Sequence, residues 1–329
     1  MDAELADAFH LYKGAGILAS LLLIAGAQLL VPNRLSVQAV IRNWRVNAPL
    51  ALIDTVLLTL LCGACVCAWA VTIRIRGLSL FEAAALPYWT QVLTTVVMLD
   101  LVAYLWHRAN HRWALLWRFH AVHHSDTHFE ASTAFRFHPG ELLISMGVRL
   151  AVVTLTGLPV LGLITFEVLY GFCNLLVHSD IRIAPRIERW LAWVVVTPSL
   201  HRLHHSERPE LHGANFGTIF SGWDRIWRTF IDGNADTTVT LGLPGQQGRA
   251  LGLSETLRLP FRRSRRQRRE YLRTAATAGT DDRRHGRRGG AVPAGPLPAQ
   301  RGPWSSRRRS RSPSVSGKNP VASGSAVSG

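Results

Sequence analysis

Lysine is almost missing from this chain. Of 37 basic residues only two are lysine, Lys13 and Lys318, and the rest are arginine, as expected of a GC-rich genome. Cysteine is scarce as well. Cys62, Cys65, Cys67 and Cys173 are too few and too scattered for a disulfide framework. Cys62-x-x-Cys65 has zinc or redox spacing, but it lies in an apolar run with no His or Asp nearby. It reads as small, polarizable packing residues. Acidic residues are in short supply, 21 against 37, which leaves a net charge of +16. That charge is unevenly placed. Residues 264–329 hold 15 basic and 3 acidic residues, so the body before them is close to balanced. A uniformly basic nucleic-acid-binding protein is thereby excluded. The 264–329 segment has no apolar periodicity and reads as a disordered Arg-rich tail. It is either a binder of anionic lipid head groups or the product of a frameshift.

The body is strongly apolar. Ala15–Val31, Ala48–Ile73 and Ala83–Trp106 each reach the roughly 20 residues that a helix needs to cross a bilayer. A fourth apolar region, Leu142–Val177, is too long for one span and is broken at Gly157-Leu158-Pro159. It reads as a re-entrant helical hairpin or two steeply tilted spans. The first run is no secretory signal, because Asp2, Glu4 and Asp7 stand where a basic segment belongs. The Pro32–Asn47 loop carries Arg34, Arg42 and Arg45 with no acid, which places it in the cytoplasm and the N-terminus outside. The third helix then delivers everything after Trp106 to the cytoplasmic face. The expected fold is all-α: a polytopic helical membrane protein with three spans plus a helical hairpin, and a cytoplasmic helical histidine-rich cap. Its parts are N-terminal transmembrane helices (1–82), a catalytic domain (83–263) and the tail.

Histidine is the residue out of proportion. Twelve of the 14 histidines lie between His107 and His212. They are spaced as His107-x3-His111, His120-x2-His123-His124, a lone His178, and His201-x2-His204-His205. Steps of three or four put imidazoles on one helix face. Asp100, Tyr104, His107 and His111 continue one such stripe, and Asp100 is placed to orient a liganding imidazole. Nine histidines supply two metal ions with four or more nitrogens each, and imidazole suits Fe, Zn, Cu and Ni. Zinc usually stops at four ligands, so two irons fit the number better. His10, His128, His212 and His285 read as ordinary surface or core residues.

These boxes carry a resemblance. The run Asp100-Leu-Val-Ala-Tyr-Leu-Trp-His107-Arg-Ala-Asn-His111 continues to Leu116-Trp-Arg-Phe-His120-Ala-Val-His123-His124-Ser125. It is followed by Thr133-Ala-Phe-Arg136-Phe-His138-Pro139 and Asn174-Leu-Leu-Val-His178-Ser179. Thr197-Pro198-Ser199-Leu-His201-Arg-Leu-His204-His205, Asn215-Phe216-Gly217 and Trp223-Asp224-Arg225 complete it. Over about residues 83–262 the chain resembles the fatty acid hydroxylase/sterol desaturase superfamily of membrane di-iron oxygenases, in particular its sterol-desaturase-like bacterial members. The resemblance implies a non-haem centre of two Fe ions held by His107, His111, His120, His123, His124, His178, His201, His204 and His205. It leaves His138 open as a ligand or as a residue behind the ligands. Asn174 is open as an amide ligand or as an anchor for water. Asp126, Glu130, Glu141 and Asp180 are candidate acceptors for ring N–H groups, with Glu130 reading rather as a surface acid.

The implied reaction is O2-dependent hydroxylation or desaturation of a membrane lipid, sterol, fatty acyl or related. The implied location is the bacterial inner membrane, with the active site facing the cytoplasm. No cytochrome b5-like, flavin or ferredoxin segment is visible. Electrons are therefore expected from a separate ferredoxin, cytochrome b5-like protein or reductase. Arg108, Arg112, Arg118 and Arg202 are candidates for docking an acidic donor or lipid phosphates, against the plainer reading of positive-inside charges. Two other classes stand beside this one: a membrane zinc-dependent hydrolase, for which no His-Glu-x-x-His box is present, and a non-catalytic metal-binding or transport protein.

Overall fold

The computed structural model describes residues 2–262 except 35, 63–64, 209–210, 234–237 and 247. The tail reading and the side chains of Cys62 and Cys65 lie outside the described residues. Thirteen α-helices are found among the described residues. They are α1 (Asp2–Asp7), α2 (Phe9–Leu30), α3 (Val37–Cys62), α4 (Cys65–Ile75), α5 (Leu80–Ala83), α6 (Tyr88–Arg112) and α7 (Ala114–His124). After them come α8 (Pro139–Thr156), α9 (Val160–His178), α10 (Pro185–Leu191), α11 (Pro198–His204), α12 (Gly222–Ile226) and α13 (Leu253–Arg258). Extended pairing among these residues is limited to isolated bridges such as Pro32 with Ile181.

Among the described residues, five segments are long and apolar enough to cross a membrane: Phe9–Leu30, Val37–Ala83, Tyr88–Arg112, Pro139–Thr156 and Val160–His178. Several sequence-based boundaries shift. The third run begins at Tyr88 rather than Ala83, because Pro87 fits only at the helix start, and it continues to Arg112. The Leu142–Val177 region resolves into two full-length helices. Gly157 ends α8 in the left-handed conformation (φ 62°), and a Cβ there would lie 2.6 Å from the Ser79 backbone. The largest change is in the Pro32–Asn47 loop, most of which is helix. Its residues 43 and 47 are buried, and their amides bind Asp126, His128 O and Ser132. Long-range contacts that local sequence does not announce extend α3 backwards.

The histidine-bearing end is built on α9. α2 runs beside it in the same direction: Gly16 packs on Val168, Ile24 clusters with Leu175, and Pro32 bridges Ile181. α6 packs on another side, closely enough that a Cβ on Gly162 would lie 2.8 Å from Thr95. Beyond the C-terminal ends of α6 and α9 lie α7, a 3-10 turn at Ala131–Phe135, and α11. The apolar core of Val96, Leu99, Val160, Leu163 and Phe166 holds the two long helices in register.

Candidate metal centre

Nine histidines converge into two groups. His107, His111, His120, His124 and His204 form one; His123, His178, His201 and His205 form the other. Within each group, ligand-capable nitrogens lie within 4.8 Å of one another. The two His-x-x-His-His boxes are divided crosswise. On α7 the i, i+4 pair His120/His124 enters the first group while His123 enters the second. On α11 the pair His201/His205 enters the second while His204 enters the first. Residues four apart share a helix face, while adjacent residues such as His123 and His124 point about 100° apart. Two such boxes facing each other could therefore serve two metal sites at once.

The proton positions follow from backbone carbonyls, which only accept. His107 Nδ1 donates to Phe216 O at 2.8 Å, and His204 Nδ1 donates to Ala214 O at 2.6 Å. Each Nε2 is then a bare lone pair, yet the two Nε2 atoms are 3.0 Å apart. In the second group His178 Nδ1 donates to Asn174 O and His123 Nδ1 to Arg136 O. Nε2 of His178 faces Nε2 of both His123 and His201 at 3.0 Å. Facing lone pairs repel unless a cation lies between them. Further ring nitrogens, His111 Nε2, His120 Nε2 and both nitrogens of His124 and His205, are buried without a hydrogen-bond partner. Orphaned buried acceptors on this scale are costly. A pair of imidazole-loving metal ions would take up one nitrogen of each ring, so the donor set fits a dinuclear centre. Burial, reinforced by neighbouring imidazoles, holds His123, His124, His201, His204 and His205 well below the ordinary imidazole value, so they stay neutral and ligand-competent.

One of the four candidate acids meets a ring. Glu141 accepts from His120 Nδ1 at 2.8 Å, and also from Asn110. The others are occupied elsewhere. Asp126 accepts from Asn43 and Thr133, and Asp180 from Arg34 N and Arg202. Glu130 is buried rather than at the surface; it caps the 3-10 turn at Ser132 and is pushed up to about 7 by burial. His138 joins neither group. Its Nδ1 accepts from Gly140 N and its Nε2 donates to Leu257 O, so it caps α8. Asn174 turns its amide N–H to Ala134 O.

Asp100 does not orient an imidazole directly. It accepts from Ile219 N, Phe220 N and Trp223 Nε1. Four residues on, Tyr104 donates to Thr229 Oγ1, which donates to Asp224. Asp224, pushed up to about 6 by burial, accepts from Phe216 N and Gly217 N. The α6 stripe thus fixes the 214–229 loop, and that loop supplies the carbonyls that hold His107 and His204. Of these groups Phe216 and Asp224 stand within the Asn215-Phe216-Gly217 and Trp223-Asp224-Arg225 runs, whereas no sequence signal marks Thr229 or Ala214. Of the four arginines, Arg202 is buried, pairs with Asp180 and covers the Phe129 ring, so it is no docking residue. Arg118 is exposed and donates to Pro260 O. Arg112 is exposed and Arg108 half-buried.

Residues 92–229, which include all nine histidines and the loop that positions them, match the fatty acid hydroxylase family model. This segment is similar to the fatty acid hydroxylase domains of the fatty acid hydroxylase/sterol desaturase superfamily. The chain is 30% identical to the ornithine lipid hydroxylase OlsE of Rhizobium tropici, over 56% of this chain and 54% of that protein. It is 31% identical to an alkylglycerol monooxygenase of Danio rerio, over 40% of this chain and 28% of the relative. A very-long-chain aldehyde decarbonylase of Oryza sativa, GL1-5, is 29% identical over 42% and 23%. The chain thus spans about half the length, or less, of the curated relatives it matches. No solved structure matches this chain.

Proposed function

We propose that this chain is a membrane oxidoreductase that hydroxylates or desaturates the hydrocarbon part of a lipid at a di-iron centre held by the nine histidines. The observation that carries this reading is the donor set: two buried all-imidazole groups whose free lone pairs face one another. Nine nitrogens exceed what one zinc uses, and iron accepts up to six ligands with a position left over. Bound iron supplies the reduction of O2 and the removal of hydrogen from an inert C–H bond. Hydroxylation consumes O2, two electrons and two protons and yields an alcohol and one water; desaturation consumes the same and yields an alkene and two waters. The names of the relatives, a lipid hydroxylase and a monooxygenase, favour oxygen insertion.

The chain's own residues supply orientation and shielding. Glu141, Phe216 O, Ala214 O and Asn174 O fix His120, His107, His204 and His178 through their Nδ1 protons. The Phe137 ring stacks on His123, and Phe129 lies against His178 and His205, which keeps water from the second group. Because both groups lie at the ends of membrane-spanning candidates α6 and α9, the lipid reaches them laterally. We place this end in the cytoplasm of a bacterial inner membrane, with electrons delivered by a separate protein. Metal analysis of the purified chain is expected to give about two irons. Comparison of lipids from cells with and without the gene is expected to reveal a mass change of one oxygen or two hydrogens. About one zinc per chain and no iron would support the hydrolase alternative and end the oxygenase reading.

A further inference from the structure

Away from the metal centre, three ionisable side chains meet inside three candidate spans. Glu167 of α9 lies 2.7 Å from Lys13 of α2 and is also ion-paired with Arg149 of α8. Among the described residues it is the one carboxylate that pairs with either cation. The cluster therefore carries one positive charge in excess. Lys13 lies 5.7 Å from the Phe9 ring and Arg149 lies 5.9 Å from the Phe166 ring. Aromatic faces soften a cation but do not neutralise it. Accessibility is also lopsided. The carboxylate side chain is 9% exposed, whereas Lys13 and Arg149 keep 34% and 29% of theirs. What the cluster offers to its surroundings is cationic.

An uncompensated charge within a membrane span is expensive, and such groups normally face a partner or a pathway. The position of this one points along a pathway. Glu167, Tyr170, Asn174 and His178 fall at 0, +3, +7 and +11, on a single face of α9. The cluster thus shares a face with a histidine of the second metal group, and the rise along the helix separates them by about 16 Å. We infer that Lys13 and Arg149 seat the anionic group, a carboxylate or a phosphate, of a long-chain amphiphile whose hydrocarbon runs along α9 toward His178. Taking that amphiphile as the substrate rests on the oxygenase reading; the anion site itself does not. Glu167 holds the two cations apart and in place, and limits their net charge to one.

The test is equilibrium binding to the full chain in neutral-lipid nanodiscs, with hexadecanoate, hexadecyl phosphate and hexadecanol as probes and no turnover required. At least one anionic probe is expected to bind about tenfold more tightly than the alcohol, and which one does so separates carboxylate from phosphate chemistry. Lys13→Gln and Arg149→Gln are expected to bring the anion down to the level of the alcohol. Arg149→Lys, which keeps the charge, retains the preference and serves if the glutamine variant does not fold. Glu167→Gln is the decisive variant: it raises the local charge by one and is expected to tighten anion binding. A purely structural clamp gives the reverse, with Glu167→Gln weakening all three probes alike. Equal affinities for the three probes in the unmodified protein, or that reversed result, overturns the proposal. Because neither metal nor activity is read, the outcome stands apart from the fate of the oxygenase reading.

Discussion

His107 and His204 face each other Nε2 to Nε2 at 3.0 Å, each with its other ring nitrogen committed to a backbone carbonyl. Two neutral imidazoles in that arrangement have no proton to share. Only a third, positively charged body makes the contact favourable, and the same holds for His178 against His123, whose Nδ1 atoms are likewise committed to carbonyls. The crosswise division of the two boxes predicts how each centre fails. His204→Ala and His123→Ala belong to different groups, so each is expected to remove about one of two metal ions and to abolish turnover while the protein still inserts. Metal content and activity of the purified variants check this. Full activity in either variant, or loss of both ions in both, contradicts the division.

Glu141 is the carboxylate that reaches a ring. Glu141→Ala removes the acceptor for His120 Nδ1 and leaves the Asn110 amide unpaired. Metal affinity or activity is expected to fall by about 10- to 100-fold. Glu141→Gln keeps an acceptor oxygen and is expected to recover part of it. Metal titration of the two variants distinguishes this from a packing defect, which glutamine and alanine would share in full.

Asp100 acts at one remove, through the loop. Asp100→Asn replaces one of two acceptor oxygens with an amide donor that faces either Ile219 N or the pair Phe220 N and Trp223 Nε1. The expected destabilisation is about 1–3 kcal/mol. Turnover is expected to fall with it, because the same loop carries Phe216 O and Ala214 O. Thr229→Val breaks the Tyr104–Thr229–Asp224 chain and is expected to cost about 1–2 kcal/mol. Thermal unfolding in detergent, read beside metal content, checks both.

How much of this was legible in the sequence follows from the range of the interactions. His107/His111 and the two His-x-x-His-His boxes are local, helical spacings, so their letters announce the candidate ligand set, and the apolar runs announce the long helices. Which box residue goes to which group needs α7 and α11 face to face, and no local pattern contains that. Asp100 misled for the same reason: its spacing to His107 is right for a helix stripe, but its partners lie about 120 residues away in the loop. The helical 37–47 segment was hidden because Asn43 and Asn47 gain their partners only from 126–132. His138 carries the residue type of a ligand, yet the Pro139 that follows it sets a helix start, and the ring is used as the cap.

Acid sensitivity of the metal-free protein follows from the buried rings. Desolvation holds His123, His124, His201, His204 and His205 well below 6.5 in the folded state. In the unfolded chain the same rings take up protons as the pH falls through about 6.5. The unfolded state then binds more protons than the folded one, so stability rises with pH in that window. The contribution is fully present above 6.5 and is lost progressively below it, as the pH falls toward the depressed folded values. Chelator-treated protein is therefore expected to unfold more easily at pH 5.5 than at pH 7.5, with proton uptake on unfolding at the lower pH. Metal-loaded protein is expected to lose its ions over the same acid range, since protons and metal compete for the same lone pairs. Unfolding curves of the metal-free form that coincide at the two pH values would show that these rings are solvated and not packed as described.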